Sequence, residues 1–125
     1  MTKASALYNF YSSFGIPAFE ENCVPSDDEA PSFPYLTYSV TTGDFGGEIA
    51  LIVNLWYRSE SWVAANAKAE EISTKIGRGG VMLKCDDGAI WLKRGSPFSQ
   101  SMGDPEDNLI KRKYINIAAE FLTAD

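Results

Sequence analysis

Any chemistry in this chain would fall to two cysteines, Cys23 and Cys85, and to its carboxylates, because the sequence contains no histidine. The commonest general base and the commonest zinc ligand are therefore both missing. Cys85 runs directly into Asp86 and Asp87. Neighbouring carboxylates oppose a thiolate, which is the wrong direction for a nucleophile. Cys85 is expected to be a buried strand residue. Cys23 stands in no partner motif. Two cysteines make no disulfide framework in a chain this rich in core residues, so reduced thiols are expected.

Asp27, Asp28 and Glu29 offer oxygen ligands but lack the alternate spacing and glycine of an EF-hand loop, so the expectation is a solvated loop. Gly77-Arg78-Gly79-Gly80 has phosphate-loop composition in the wrong place, since it follows a helical pattern where phosphate cradles precede one. Basic residues group only at Arg58, at Lys93-Arg94 and at Lys111-Arg112-Lys113. Strand alternation splits that last run between two faces. With a net charge of −6, the chain is not expected to grip phosphate backbones or anionic lipid. Glu48, Asn54 and Glu120 could line a small-molecule pocket on a curved sheet, but each also suits an exposed strand face. No metal or cofactor is implied by any of these groups.

The elements that position them follow from hydrophobic spacing. In Gly46–Arg58, Ile49, Leu51, Val53, Leu55 and Tyr57 fall on every second position, one face of a strand. The other face, with Glu48, Ala50, Ile52, Asn54 and Trp56, is mixed, as in a central strand only partly covered on that side. The period then changes. Trp62, Ala65, Ala69, Ile72 and Ile76 make one helical stripe over 61–76, with Ser59 or Ser61 able to cap it and Gly77 to stop it. An earlier helix spans Ala4–Phe14, capped by Thr2 or Ser5, with Leu7, Phe10, Tyr11 and Phe14 as its stripe.

The proline-bearing connection Ile16–Pro34 shows no periodicity and is long for a compact domain, so it is expected to be functional, mobile or ordered by a neighbour. Asp27, Asp28 and Glu29 lie within it. Tyr35–Thr42 reads as a strand, with a hairpin turn at Gly43–Gly47 leading into the central strand. Val81–Cys85 and Ala89–Arg94 are strands joined at Asp86-Asp87-Gly88, a strong hairpin signal. Ser96–Gly103 reads as an extended arm or edge strand, because Pro97 cannot donate in a central ladder. Asp104–Asn108 is a turn, and Ile110–Leu122 a long last strand with Ile115, Ile117, Ala119 and Phe121 on one face. The expectation is one α+β domain over 1–125. It has a single mostly antiparallel sheet, two helices packed on it, and the order αββαββ(β)β. No run reaches the roughly 18 apolar residues that span a bilayer, and the first residues carry no signal pattern, so an untargeted cytosolic product is expected.

The order of short strings is familiar. Phe14-Gly-Ile-Pro is followed by an acidic, proline-bearing loop and then by Phe33-Pro-Tyr-Leu-Thr-Tyr-Ser-Val. Leu55-Trp-Tyr-Arg-Ser-Glu-Ser-Trp leads into the helix Lys68-Ala-Glu-Glu-Ile-Ser-Thr-Lys-Ile-Gly, and Ile90-Trp-Leu-Lys-Arg-Gly-Ser-Pro-Phe-Ser-Gln-Ser-Met precedes an acidic turn and the last strand. In this order the chain resembles the tail terminator, or tail completion, family of long-tailed bacteriophages and prophages. The resemblance implies an α+β subunit that forms a ring, commonly six-membered, on the end of the tail tube. The ring stops tube growth and offers the surface that joins the head. It implies neither enzyme activity nor a cofactor. Its implied partners are further copies of itself, the tube protein and a head-completion or connector protein. The implied location is the virion tail, assembled in the host cytoplasm. An acidic protein suits a ring through which DNA passes unheld. Ring contacts are heterologous, and the arm is the expected subunit contact, with Phe98 and Met102 as apolar anchors around Gln100. Other tail or head–tail connector proteins share these features, and a small-molecule-binding module or enzyme is a rival of another class.

Overall fold

The computed structural model describes residues 1–124. The chain runs α1 (Lys3–Tyr11), continued by a 3-10 turn over Ser12–Phe14, then β1 (Ala18–Glu20), β2 (Tyr35–Tyr38), β3 (Glu48–Arg58), α2 (Val63–Ile76), β4 (Val81–Cys85), β5 (Gly88–Gly103) and β6 (Ile110–Thr123). The strands form one six-stranded sheet in the order β1-β2-β3-β6-β5-β4. Every pairing is antiparallel except that of β1 with β2. The α+β class with two helices on one sheet therefore holds, and the sheet is mixed.

The alternation in β3 does what its period requires. Leu51, Val53 and Leu55 are fully buried on one face, Leu51 opposite Ile117 and Val53 opposite Ile115 of β6, with Ile90 and Leu92 of β5 buried on the far side of β6. Helix α2 lays Ala65, Ala69, Ile72 and Ile76 on this surface. The small alanines let it lie close. Helix α1 adds Ala6, Leu7, Phe10 and Tyr11 to the same core. It touches both β1 and β4, the two ends of the strand order, so the sheet curls around it. Thr2, of the two candidate caps, accepts a hydrogen bond from Ser5 N–H at 3.1 Å. Before α2 both serines are used in relay: Ser59 Oγ accepts from Ser61 N–H and Ser61 Oγ from Val63 N–H, each at 3.1 Å. Gly77, at φ 76, ends the helix.

Three expectations change. The connection Ile16–Pro34 contains β1, whose Ala18 is buried and pairs in parallel with Leu36. Three residues are too few to show a period, and only the pairing reveals them. The β2–β3 hairpin exists, but β2 ends at Tyr38 and its loop is wider than a tight turn. The turn itself lies at Asp44–Gly47, with Gly47 N–H donating to Asp44 O at 3.1 Å. Most consequentially, the separate arm over Ser96–Gly103 is the second half of β5, hydrogen-bonded to β6. The ladder shifts register between Arg94 and Ser99. Pro97 falls inside that irregularity, where its missing N–H breaks no bond. The order is therefore αβββαβββ.

Candidate functional site

Both α-helices pack on one face of the sheet, and among the described residues no α-helix covers the other. Across that bare face the register brings together residues far apart in sequence: Phe19 stands beside Thr37, Tyr35 beside Trp56, Trp56 beside Arg112, and Arg112 beside Met102. The side chains make a continuous row. Phe33 and Phe19 lie 5.4 and 6.2 Å from Tyr35, ring centre to ring centre, and Tyr35 stacks on Trp56 at 6.2 Å with planes 17° apart. The Arg112 guanidinium sits 5.4 Å from the Trp56 ring and donates to Met102 Sδ at 3.1 Å. Trp56 Nε1 donates to Thr37 Oγ1 at 2.9 Å, which fixes the indole plane. Half-buried aromatics that have lost rotamer freedom to one another, with one side still open, are suited to meeting a partner.

Farther along the same face, Glu48 and Glu120 stand directly opposite each other on β3 and β6. Two carboxylates in that position repel. Lys93 bridges them, donating to Glu48 at 2.6 Å and to Glu120 at 2.9 Å, with its ammonium 4.5 Å from the Trp91 ring. The hydrogen bonds to Glu48 and then Glu120 raise the pKa of Lys93, so it stays an ammonium and is no base. A shallow depression of 310 Å³ opens beside Glu48, lined also by Ala50, Gly95, Asn116 and Ala118. Asn54 is six residues along β3 from Glu48, roughly 20 Å away at about 3.4 Å per residue, so the three do not make one site.

Asp27, Asp28 and Glu29 form an exposed 3-10 turn, with Asp27 at φ 56. Gln100 is exposed, Met102 is half-buried under Arg112, and Phe98 is half-buried against the protein's own core. Phe98 lines a 350 Å³ groove with Asn66, Glu70, Ser73 and Lys113, between α2 and the sheet. Lys111 and Lys113 both approach Trp62, at 5.8 Å, while Arg112 faces the bare side, so the basic run is split between faces as its alternation requires. Among the described residues no group of three or more Asp, Glu or Cys is placed to hold a metal ion.

Both cysteines are free thiols. Cys85 is half-buried against the core and Cys23 is exposed beside β1. A hydrogen bond to Glu20, then the charge of that carboxylate, raises the pKa of Cys23. Cys23 should therefore react with iodoacetamide more slowly than a free thiol at neutral pH, catching up as pH rises. Glu20→Gln should accelerate it severalfold, read by mass spectrometry. Equal rates in the two proteins would show that Glu20 does not hold the thiol.

The row from Phe33 to Met102 has no counterpart in the sequence reading. Trp56 and Tyr35 could be placed on strands, but Phe19 lay in a strand without a period, and nothing local joins Trp56 to Arg112. No known protein-family model matches the chain, and no curated protein sequence matches it.

Proposed function

We propose that this chain is a structural protein of a long-tailed phage or prophage, a tail terminator that assembles as a ring on the end of the tail tube. In this reading its partners are further copies of itself, the tube protein below and a head-completion or connector protein above. It carries no cofactor and does no catalysis. The observation that supports the reading is the bare face of the sheet: a broad, preorganised aromatic and polar surface with shallow depressions rather than an enclosed pocket. Surfaces of that kind serve assembly better than small-molecule capture. The acidic balance of the chain agrees with a ring that lets DNA pass.

Deleting the gene from a phage or prophage that encodes it tests the role. Electron microscopy should show tubes of irregular length and full heads without tails, and supplying the chain in trans should restore both. Tails of uniform length joined to heads in the deletion strain would sink the proposal.

A further inference from the structure

The two sides of the subunit carry opposite, unpaired charge. Between Lys3 and Arg58 the sequence has no lysine or arginine. At the β1 side this leaves Glu20, Glu21, Asp27, Asp28 and Glu29 together, and none of them makes an ion pair among the described residues. The other side is the start of β6, with Lys111, Arg112 and Lys113. Lys113 is only 9% exposed and donates to Ser101 Oγ at 2.9 Å, and none of the three has a carboxylate within 4.0 Å among the described residues.

Asp107 feels the charge of Lys111, but its hydrogen bonds go to other groups. Asp107 pairs with Arg58 at 3.2 Å and accepts from Leu109 N–H, and Asp104 accepts from the backbone of Glu106 and Asp107. Glu70 alone faces Lys113 across the groove.

This basic end lies along an open strand. β4 pairs only with Gly88–Leu92 of β5, so Ser99–Gly103 is bonded to β6 on one side and to no strand on the other. Its residues, Ser99, Gln100, Ser101, Met102 and Gly103, include no charge or proline to discourage a further chain. Within one copy no ion pair joins the two sides among the described residues. The row Ala18, Leu36, Leu55, Lys113, Ser101 crosses five strands, roughly 19 Å along the sheet at about 4.8 Å per step.

We infer that the open edge Ser99–Gly103, with the cations of β6 beside it, receives the acidic connection around Asp27–Glu29 of a second copy of this chain. The contact is heterologous, one side of a subunit meeting the opposite side of the next, which is the type that closes into a ring. It deepens the assembly reading and rests on it for the choice of occupant.

Two double variants test it. The acid-reversed variant is Asp28→Lys with Glu29→Lys, leaving Asp27 because its left-handed backbone suits aspartate. The base-reversed variant is Lys111→Glu with Arg112→Glu. By sedimentation velocity, wild-type chain should self-associate, at least about tenfold more weakly when salt rises from about 0.05 M to about 0.5 M. Each variant alone should be monomeric, and an equal mixture should recover the wild-type oligomer, because reversed acid then meets reversed base.

If the base-reversed variant melts early, the acid-reversed variant still decides, since its sites are on an exposed turn. Wild-type chain that stays monomeric at about 0.1 mM and low salt, variants that assemble unaided, or a mixture that fails to recover would each overturn the inference. Salt-sensitive duplex-DNA binding by wild-type chain, lost only in the base-reversed variant, would mark a nucleic-acid surface instead and also overturn it. A mixture that recovers while gene deletion leaves tails normal would sink the tail reading and leave this contact standing. The reverse pair of results would sink the contact alone.

Discussion

Gly88→Ala is expected to cost on the order of 3 kcal/mol or more of stability, enough to lower the melting temperature by about 10 °C. Gly88 opens β5 at φ 147, pairing with Cys85 on one side and Thr123 on the other. A Cβ there would stand 2.1 Å from the carbonyl oxygen of Leu122, a backbone atom that cannot swing away without breaking the β5–β6 ladder. Two penalties therefore coincide, a backbone region that L-residues avoid and a steric overlap inside a ladder. Gly79→Ala is the control. A Cβ at Gly79 meets nothing within 4 Å, so that change should be neutral or slightly stabilising through the unfolded chain. Thermal melts of the two variants side by side check the claim, and equal melting points would refute it.

Phe98→Asp is expected to destabilise the isolated subunit by about 2–4 kcal/mol. Phe98 packs on the core from the second half of β5, in the groove beside α2, and Glu70 lines the same groove. A carboxylate at that position loses the apolar contact, while Glu70 and Lys113 of the same groove act on its charge in opposite directions. Phe98→Leu should cost less than about 1.5 kcal/mol, and Gln100→Ala, on the exposed neighbour, almost nothing. Denaturant midpoints measure all three. An unchanged midpoint for Phe98→Asp would mean that the ring is turned outward to a neighbouring subunit, the role its sequence context suggests.

That reversal shows where sequence reading stops. The core of β3 was legible because Leu51, Val53 and Leu55 alternate over a run long enough to exclude a helix. The stripe Ala65, Ala69, Ile72, Ile76 was legible for the same reason at the other period. Ser99–Gly103 was legible as an edge, through Pro97, but its continuity with β5 was not: the register shift around Pro97 moves the helix-covered face from the even positions Ile90 and Leu92 to the odd positions Ser99 and Ser101, so no single alternation runs through the strand. β1 escaped notice at three residues. The bare-face row is harder still, since Phe19, Tyr35, Trp56, Arg112 and Met102 come from five strands and only long-range register makes them neighbours. The charge of each group could be read directly, but which charges remain unpaired is a tertiary fact.

The longest unbroken ladder in the sheet joins β3 to β6, eleven facing pairs from Glu48 with Glu120 to Arg58 with Ile110. The strands run antiparallel, and their hydrogen bonds lie across the strand direction. A pull along the strands, applied to β3 at one end and β6 at the other, loads these bonds in shear, so they share the force and must fail together. A pull across the strands would peel them one pair at a time, at far lower force. The subunit is thus mechanically anisotropic. It is stiff along the axis of its two central strands and compliant across them, at the open half of β5 where a single ladder holds the edge.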